Sequence, residues 1–586
     1  MRESKCCYSD EKNAQIVIAL LKAHGIRKVI ANPGTTNIAI VGSVQNDPWF
    51  EVYSGVDERH SAYMATGMAA ESDEPVVLSC TGATASRNYL PALTEAYYRK
   101  LPILVLTSMQ PFDNVGQLYP QAIDRTVAPR DAVMKSIQCR AIKDDRDYSV
   151  CERQINDAIL ELRRHGGGPV HVNLEISDLM TFRCDKLPTV TRVDRIDAGS
   201  ENFPQLPSGK IALFIGSGRI NEAWADFARQ HNVAVIADCS NKYDGPNRVY
   251  PSLVCSQTRA SCNPAFAGLK PDLIICTGEV SGDYPGMEFL RDKCDIWRVS
   301  EDGEIRSRLG LPRYVFEMSA TQFVHRYKSQ LLTSSTYYEE WSNIDKRIRS
   351  CIPEIPFSNP WIAKMTSPLI PDGCVLHLGI LNSLRSWNIF HPKLGVSTYS
   401  NVGGFGIDGG VSSLIGSSII RDDKLHFGVF GDLAFFYDLN SLGNRYIGKN
   451  LRILVVNNGC GTEFNMYFHS GSQFGSNTND FIAAGGHFGN KNKNLLKHYA
   501  TDLGFRYLSA SNKNEFEKVL PMFLHIESDR SIILECFTDV RDESEAHRVL
   551  NNIMPYEAPL TVKSIVGKMM PSTVKDAIKL VVKGRQ

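Results

Sequence analysis

The sequence predicts an α/β chain of three doubly wound parallel-sheet domains, and three observations carry that reading. The 586 residues exceed what one hydrophobic core supports. Short apolar, β-branched runs recur at spacings that leave room for a helix between them. Most of these runs are predominantly apolar rather than alternating, the pattern of strands covered on both faces of a parallel sheet.

In the first section these runs are "KVIANPG", "PVVLSCTG", "PILVLTS" and "PVHVNLEI". A stretch rich in Pro, Ser and charge, "RCDKLPTVTRVDRIDAGSENFPQLPSG", closes the section and sets a boundary at 185/186. The middle section offers "IALFIGSG", "VAVIADCS" and "DLIICTG" and ends near "RSCIPEIPFSNPW", a boundary at 352/353. The third, 353–550, carries "CVLHLG", "LHFGVFGD", "LRILVVNN" and "SIILECFTD", and 551–586 form a tail. Three similar sheets in one chain point to an old duplicated architecture.

Composition narrows the function classes. Lys+Arg and Asp+Glu are equal at 64 each, so no global field recruits nucleic acid. Fifteen cysteines are scattered without C-x-x-C spacing, which reads as reduced thiols and a cytoplasmic location. The N-terminus lacks an apolar signal region, and no apolar run approaches membrane-spanning length. In "FIGSGRINEA", Gly216 and Gly218 begin like a dinucleotide fingerprint, but Asn221 stands where the third glycine belongs. We read it as a strand-to-helix turn that binds neither FAD nor NAD.

Chemistry concentrates in the third section. Asp432, after Gly431, and Asn458 lie at the carboxyl ends of two expected strands, where open parallel sheets collect ligands. With a main-chain carbonyl from the turn at Cys460 they form a hard oxygen set suited to Mg²⁺ or Ca²⁺ and poorly suited to zinc, and Mg²⁺ there would clamp a diphosphate. Singly, each residue is more often a turn former or helix N-cap. Together, G-D, then some two dozen residues, then N-N resembles the signature of the thiamine diphosphate (ThDP) enzymes.

That resemblance implies a glutamate in a separate domain, which hydrogen-bonds the ring nitrogen of the cofactor's aminopyrimidine and promotes proton removal from C2. Glu58, in "GVDERHSAYMATGMAAESDEPVVLSCTGATASRN", matches it, and burial among apolar groups is expected to raise its pKa. The implied layout is a pyrimidine-binding domain (1–185), a central domain (186–352) and a diphosphate-binding domain (353–550). "YSNVGGFGIDGGVSSLIG" and "SIILECFTDVRDESEAHRVL" look most like the menaquinone-pathway synthases that join 2-oxoglutarate-derived succinic semialdehyde to isochorismate, with acetolactate synthase-like enzymes as wider relatives. On that likeness Gly406 and Ile407 approach the cofactor, Ile407 as the wedge between its rings, and Gln117 lines the active site.

Departures from the pattern bear on substrate. Val402 and Trp387 stand where the family has arginines, and "PGTTN", with Thr35 and Asn37, replaces a third cationic segment. Arginines are the bidentate partners of carboxylates, so their loss favours a short, uncharged 2-oxo acid donor, pyruvate first. Arg385, two residues before Trp387, could still anchor a carboxylate. Glu463 is either a surface glutamate or an inward group that disfavours an anionic acceptor and suits a keto or amino sugar. His60 and His469 are candidate proton donors, though a lone His is more often structural.

The expected activity is decarboxylation of a 2-oxo acid followed by ligation to a carbonyl acceptor. Simple decarboxylation, the menaquinone-pathway reaction itself and a non-catalytic cofactor-binding subunit are the alternatives. The family implies a homodimer or homotetramer with active sites between subunits. The tail "PSTVKDAIKLVVKGRQ" reads as a basic amphipathic helix, docked on the protein's own surface or lying on an anionic membrane.

Overall fold

The computed structural model describes residues 7–177, 181–291, 294–330 and 336–554. The amphipathic tail helix expected near residue 571 lies outside the described residues. The chain divides into two compact units, Met1–Phe203 with Ile296–Ser319, and Pro204–Asp295 with Ala320–Gln586.

The first unit holds β1 (Lys28–Ala31), β2 (Glu51–Ser54), β3 (Val76–Thr81), β4 (Ile103–Met109), β5 (Lys135–Cys139) and β6 (Val170–Glu175). They form a parallel sheet in the order β2-β1-β3-β4-β6-β5. The continuous apolar runs have the cause the sequence suggests, since alternate residues of one strand feed different cores. Val77, Leu104 and Leu106 pack with Ile16 and Leu20 of the helix Lys12–Ala23. Val76, Leu78 and Val105 face the other way, onto Ala62 and Ala65 of the helix Glu58–Ser72 and Ala92 of the helix Leu90–Tyr98.

The middle section supplies β7 (Asp194–Asp197), β8 (Ile211–Ile215), β9 (Ala234–Ile236), β10 (Arg248–Val249), β11 (Leu273–Thr277), β12 (Asp295–Ser300) and β13 (Tyr314–Glu317), and it contributes to both units. In the first, β12, β13 and β7 lie side by side, all parallel. In the second, β10, β9, β8 and β11 do the same. Gly216 follows β8, and a Cβ there would collide with the backbone carbonyl of Glu279. The glycine therefore serves a close approach between two turns.

The second unit also contains β14 (Val375–Leu378), β15 (Ser397–Ser400), β16 (His426–Gly431), β17 (Leu451–Asn457), β18 (Arg506–Ala510) and β19 (Ile532–Phe537). Their parallel order, β15-β14-β16-β17-β19-β18, repeats that of the first sheet strand for strand. In both, successive connections leave the first strand in opposite directions, so a crevice opens at the carboxyl ends of β1 and β3 and of β14 and β16. Among the described residues no helix is long and apolar enough to cross a membrane.

Candidate functional site

β16 is apolar up to Gly431, which pairs in register with Val456 of β17. The chain then enters the helix Asp432–Tyr437, and Asp432 is 5 % exposed. Its Oδ2 accepts the Gly459 N–H at 2.8 Å. Burial nevertheless pushes this carboxyl up to about 7. Gly459 has φ +82°, and a Cβ there would lie 2.8 Å from Asn490 Cγ, so the turn that brings its amide to Asp432 requires glycine.

Two adjacent asparagines end β17 and have different fates. The Asn457 amide donates to Glu535 at 2.7 Å, and Glu535 also accepts the Tyr507 hydroxyl at 2.7 Å. Asn458 Oδ1 is buried and has no hydrogen-bond partner among the described residues. No heavy atom lies within 4 Å of the point where a Gly431 Cβ would be, which leaves space beside the pair. A carboxyl strained by burial and an amide oxygen without a donor are both satisfied by one cation. The Cys460 carbonyl accepts the Thr462 N–H at 2.9 Å and, at the long distance of 3.5 Å, the Thr462 hydroxyl, a weak contact that such an ion would replace. Among the described residues no three His, Cys, Asp or Glu side chains cluster, so the donors are one carboxylate with neutral oxygens, the set a hard cation takes.

The glycine-rich segment lies on the same edge. Gly406 is exposed and Ile407 half-buried, while Phe405, at φ +55°, meets Tyr284 edge to face at 5.8 Å. Around Gly403, Gly404 and Gly409 no atom lies within 4 Å of an added Cβ. Gly410, by contrast, lets the helix Gly410–Ile420 close onto Phe430 of β16.

The substrate-side candidates need correction. Trp387 does not line an open site: its side chain is fully buried in the helix Asn382–Ile389, and its carbonyl accepts the Cys239 thiol. Val402 is buried too, packed toward Gly282, where an apolar residue fills the space. Arg385 and Glu463, expected to act separately, form a two-pronged ion pair at 2.6 and 2.8 Å. Neither is a free charge. His469 uses Nδ1 to accept the Gly471 N–H at 3.0 Å and so caps a turn.

In the first unit, Glu58 opens the helix Glu58–Ser72, whose N-cap Asp57 accepts the His60 N–H at 3.1 Å. Glu58 is half-exposed, contrary to the burial expected, because it follows β2, an edge strand exposed along its whole length. His60 is exposed. A polar network holds the helix start: Asn32 donates to the Gly55 carbonyl at 2.7 Å and to Ser61 Oγ at 2.9 Å. Asn37 is committed to this network, donating to the Asn32 carbonyl at 2.9 Å and accepting from Ser79 at 2.6 Å, so it is not a free substrate group. Thr36 donates to the Ser108 carbonyl at 2.6 Å, whereas Thr35 and Gln117 are exposed.

Arg125 is a residue that sequence reasoning missed. It is 6 % exposed, burial lowers its pKa to about 10, and it donates to Asn173 at 2.7 Å and Ser86 at 3.3 Å while its Nε has no partner among the described residues. In a loop reading "AIDRTVAPR" nothing marks that arginine as buried.

Residues 11–128 match the family model described as thiamine pyrophosphate enzyme, N-terminal TPP binding domain. The chain is 30 % identical over 553 residues to a 2-succinyl-5-enolpyruvyl-6-hydroxy-3-cyclohexene-1-carboxylate synthase of Bacteroides fragilis, covering 91 % of this chain and 97 % of that one. The synthase of the same name from Bacteroides thetaiotaomicron is 29 % identical over 551 residues, with the same coverage. That of Flavobacterium psychrophilum is 24 % identical over 550 residues, covering 90 % and 96 %.

Proposed function

The chain belongs to the family of thiamine diphosphate-dependent enzymes that catalyse decarboxylation and carbon–carbon ligation, and from that premise we propose that it joins a short, uncharged 2-oxo acid to a carbonyl acceptor such as a keto sugar, with Mg²⁺ as the diphosphate anchor. The observation that carries the reading is the buried Asp432 carboxyl beside the unpartnered Asn458 Oδ1. Both gain from the same divalent ion.

When bound, thiamine diphosphate supplies a carbon nucleophile that also serves as an electron sink for CO₂ loss. The protein's part is placement and proton handling. Asp432, Asn458 Oδ1 and the Cys460 carbonyl hold the ion, and the open backbone at Gly431 admits phosphate oxygens. Ile407 offers an apolar contact to the cofactor rings. Glu58 exchanges a proton with the pyrimidine nitrogen, and the network through Asn32 and Ser61 fixes where its helix starts.

Shared active sites follow from the same reading, with Glu58 of one copy serving a second copy of the chain in a homodimer or homotetramer. Val52, Tyr53, Val56 and Tyr63 are exposed apolar side chains flanking Glu58, which supports a covering partner there.

The test is CO₂ release across a panel of 2-oxo acids with thiamine diphosphate and Mg²⁺, with mass analysis of products formed with and without carbonyl acceptors. Pyruvate-like donors should lead, and new C–C bonded products should form with uncharged acceptors. Free aldehyde whatever acceptor is offered would make the protein a simple decarboxylase, and no CO₂ from any donor would overturn the reading.

A further inference from the structure

Arg385 and Glu463 come from opposite sides of the strand that delivers Asp432. Arg385 lies in the helix after β14 and Glu463 in the turn after β17, and both strands are neighbours of β16. To meet, the two side chains must span the carboxyl end of β16. The helix Val540–Leu550 reports the same proximity. Its Glu543 is pushed up to about 7 chiefly by burial and, in smaller part, by Asp432, while its His547, one turn on, is lowered to about 3 by burial and the Arg385 cation.

The pair is built to be held. Arg385 gives one amino group to each Glu463 oxygen, donates to Asn382 Oδ1 at 2.6 Å, and lies 5.2 Å from the Phe468 ring centroid. The two side chains are 21 % and 13 % exposed. An ordinary surface pair contributes little to stability. What this one does is fill the Nη1/Nη2 edge, the fork of N–H groups with which a guanidinium grips a carboxylate.

We propose that Glu463 is a resident occupant of a carboxylate-binding arginine, so that the site excludes substrates carrying a second carboxylate and admits those with an uncharged chain. The inference rests on the catalytic reading of this edge. An incoming carboxylate finds the guanidinium fork taken, and displacing Glu463 would strand a half-buried anion beside another. Selection here is by rejection. Neutral polyhydroxy carbonyl compounds meet no such obstacle.

A charge series tests it on the full-length chain. Glutarate, a bare dicarboxylate, and butyrate, its monocarboxylate counterpart, are titrated calorimetrically into the wild type, Glu463→Gln, Glu463→Ala and the double variant Arg385→Gln/Glu463→Gln, with melting curves to verify folding. Either single variant should bind glutarate at least tenfold more tightly than the wild type, with a smaller gain for butyrate, which has one carboxylate to offer, and the double variant should lose both gains. In turnover, Glu463→Gln should raise the ratio of CO₂ release from 2-oxoglutarate over pyruvate at least tenfold. A wild type that binds glutarate more tightly than butyrate overturns the proposal, as does a gain that survives in the double variant or its absence in a folded single variant. Should no variant release CO₂ from any donor, the functional reading fails, and the glutarate titrations decide the role of the pair by themselves.

Discussion

The first and third sheets have the same strand order, yet their carboxyl edges are finished differently. On the first, Asn37, Asn32, Ser79 and Tyr89 form a closed network, with the Tyr89 hydroxyl 2.6 Å from Asn32, and the atoms left without a partner among the described residues are a hydroxyl, Ser108 Oγ, and a cationic donor, Arg125 Nε. What that edge presents outward is the half-exposed Glu58. On the third edge the account is left open, with Asp432 held toward its neutral form by burial and Asn458 Oδ1 without a donor. A shared topology makes two crevices, and a buried carboxyl with an unpartnered amide oxygen is the chemistry on which the proposal of an ion at the third one rests.

Removing the outward acid should have the largest effect. Glu58→Gln should lower turnover by about 10²–10⁴-fold with cofactor affinity little changed, since an amide keeps the contact but cannot exchange the proton. Wild-type rates of deuterium exchange at the cofactor's C2 in this variant would remove Glu58 from the chemistry. Next comes the third edge, where Asp432→Ala should cost on the order of 100-fold in Mg²⁺-dependent cofactor affinity because the ion loses its anionic ligand. Equal affinity with and without chelator would reduce Asp432 to a helix-terminal residue.

The two edges should also separate with pH. Without a cation, folded Asp432 keeps its proton up to about 7, whereas an unfolded Asp loses it near 4, so this group's contribution to stability declines as pH rises between those values. Cation binding runs the other way, weakening up to about tenfold per unit as pH falls below about 7, because proton and ion compete. The Mg²⁺-induced rise in melting temperature should therefore grow from pH 6 to 8, and a flat response would contradict the buried carboxylate ligand.

If the edges work in pairs across subunits, inactive Glu58→Gln and Asp432→Ala chains mixed after subunit exchange should recover about a quarter of wild-type activity through hybrids with one intact site. No recovery after verified exchange would argue for sites within one chain. The smallest effect belongs to the closed network. Asn37→Ala should cost about 1–3 kcal/mol in denaturant unfolding through its stranded partners, with substrate KM unchanged. A large KM shift would return Asn37 to the substrate side.

Much of the architecture was legible because it is written locally. Apolar runs such as 76–78 and 453–456 are strand cores whose two faces both need covering, and Gly431 with Asp432 and Asn457 with Asn458 mark where two of the strands stop. Burial of Trp387 and Val402 was not legible, because position relative to an arginine in a resembling pattern says nothing of which way a side chain packs. Nor was the half-exposed Glu58, since its surroundings depend on β2 being an edge strand.

The sequence by itself determined the α/β class and the place of eleven of the nineteen strands among the described residues, and it marked Asp432 and Asn458 at two strand ends, because periodicity and turns are properties of short segments. The tertiary structure decided which polar groups are already spent. Asn457 meets Glu535 and Arg385 meets Glu463 across 78 residues of chain each, and the Gly459 amide meets Asp432 across 27. Whether a buried polar atom finds a partner depends on such long-range pairings. That is why Asn457 and Asn458, adjacent and chemically identical, end as a bonded brace and an amide oxygen without a partner among the described residues.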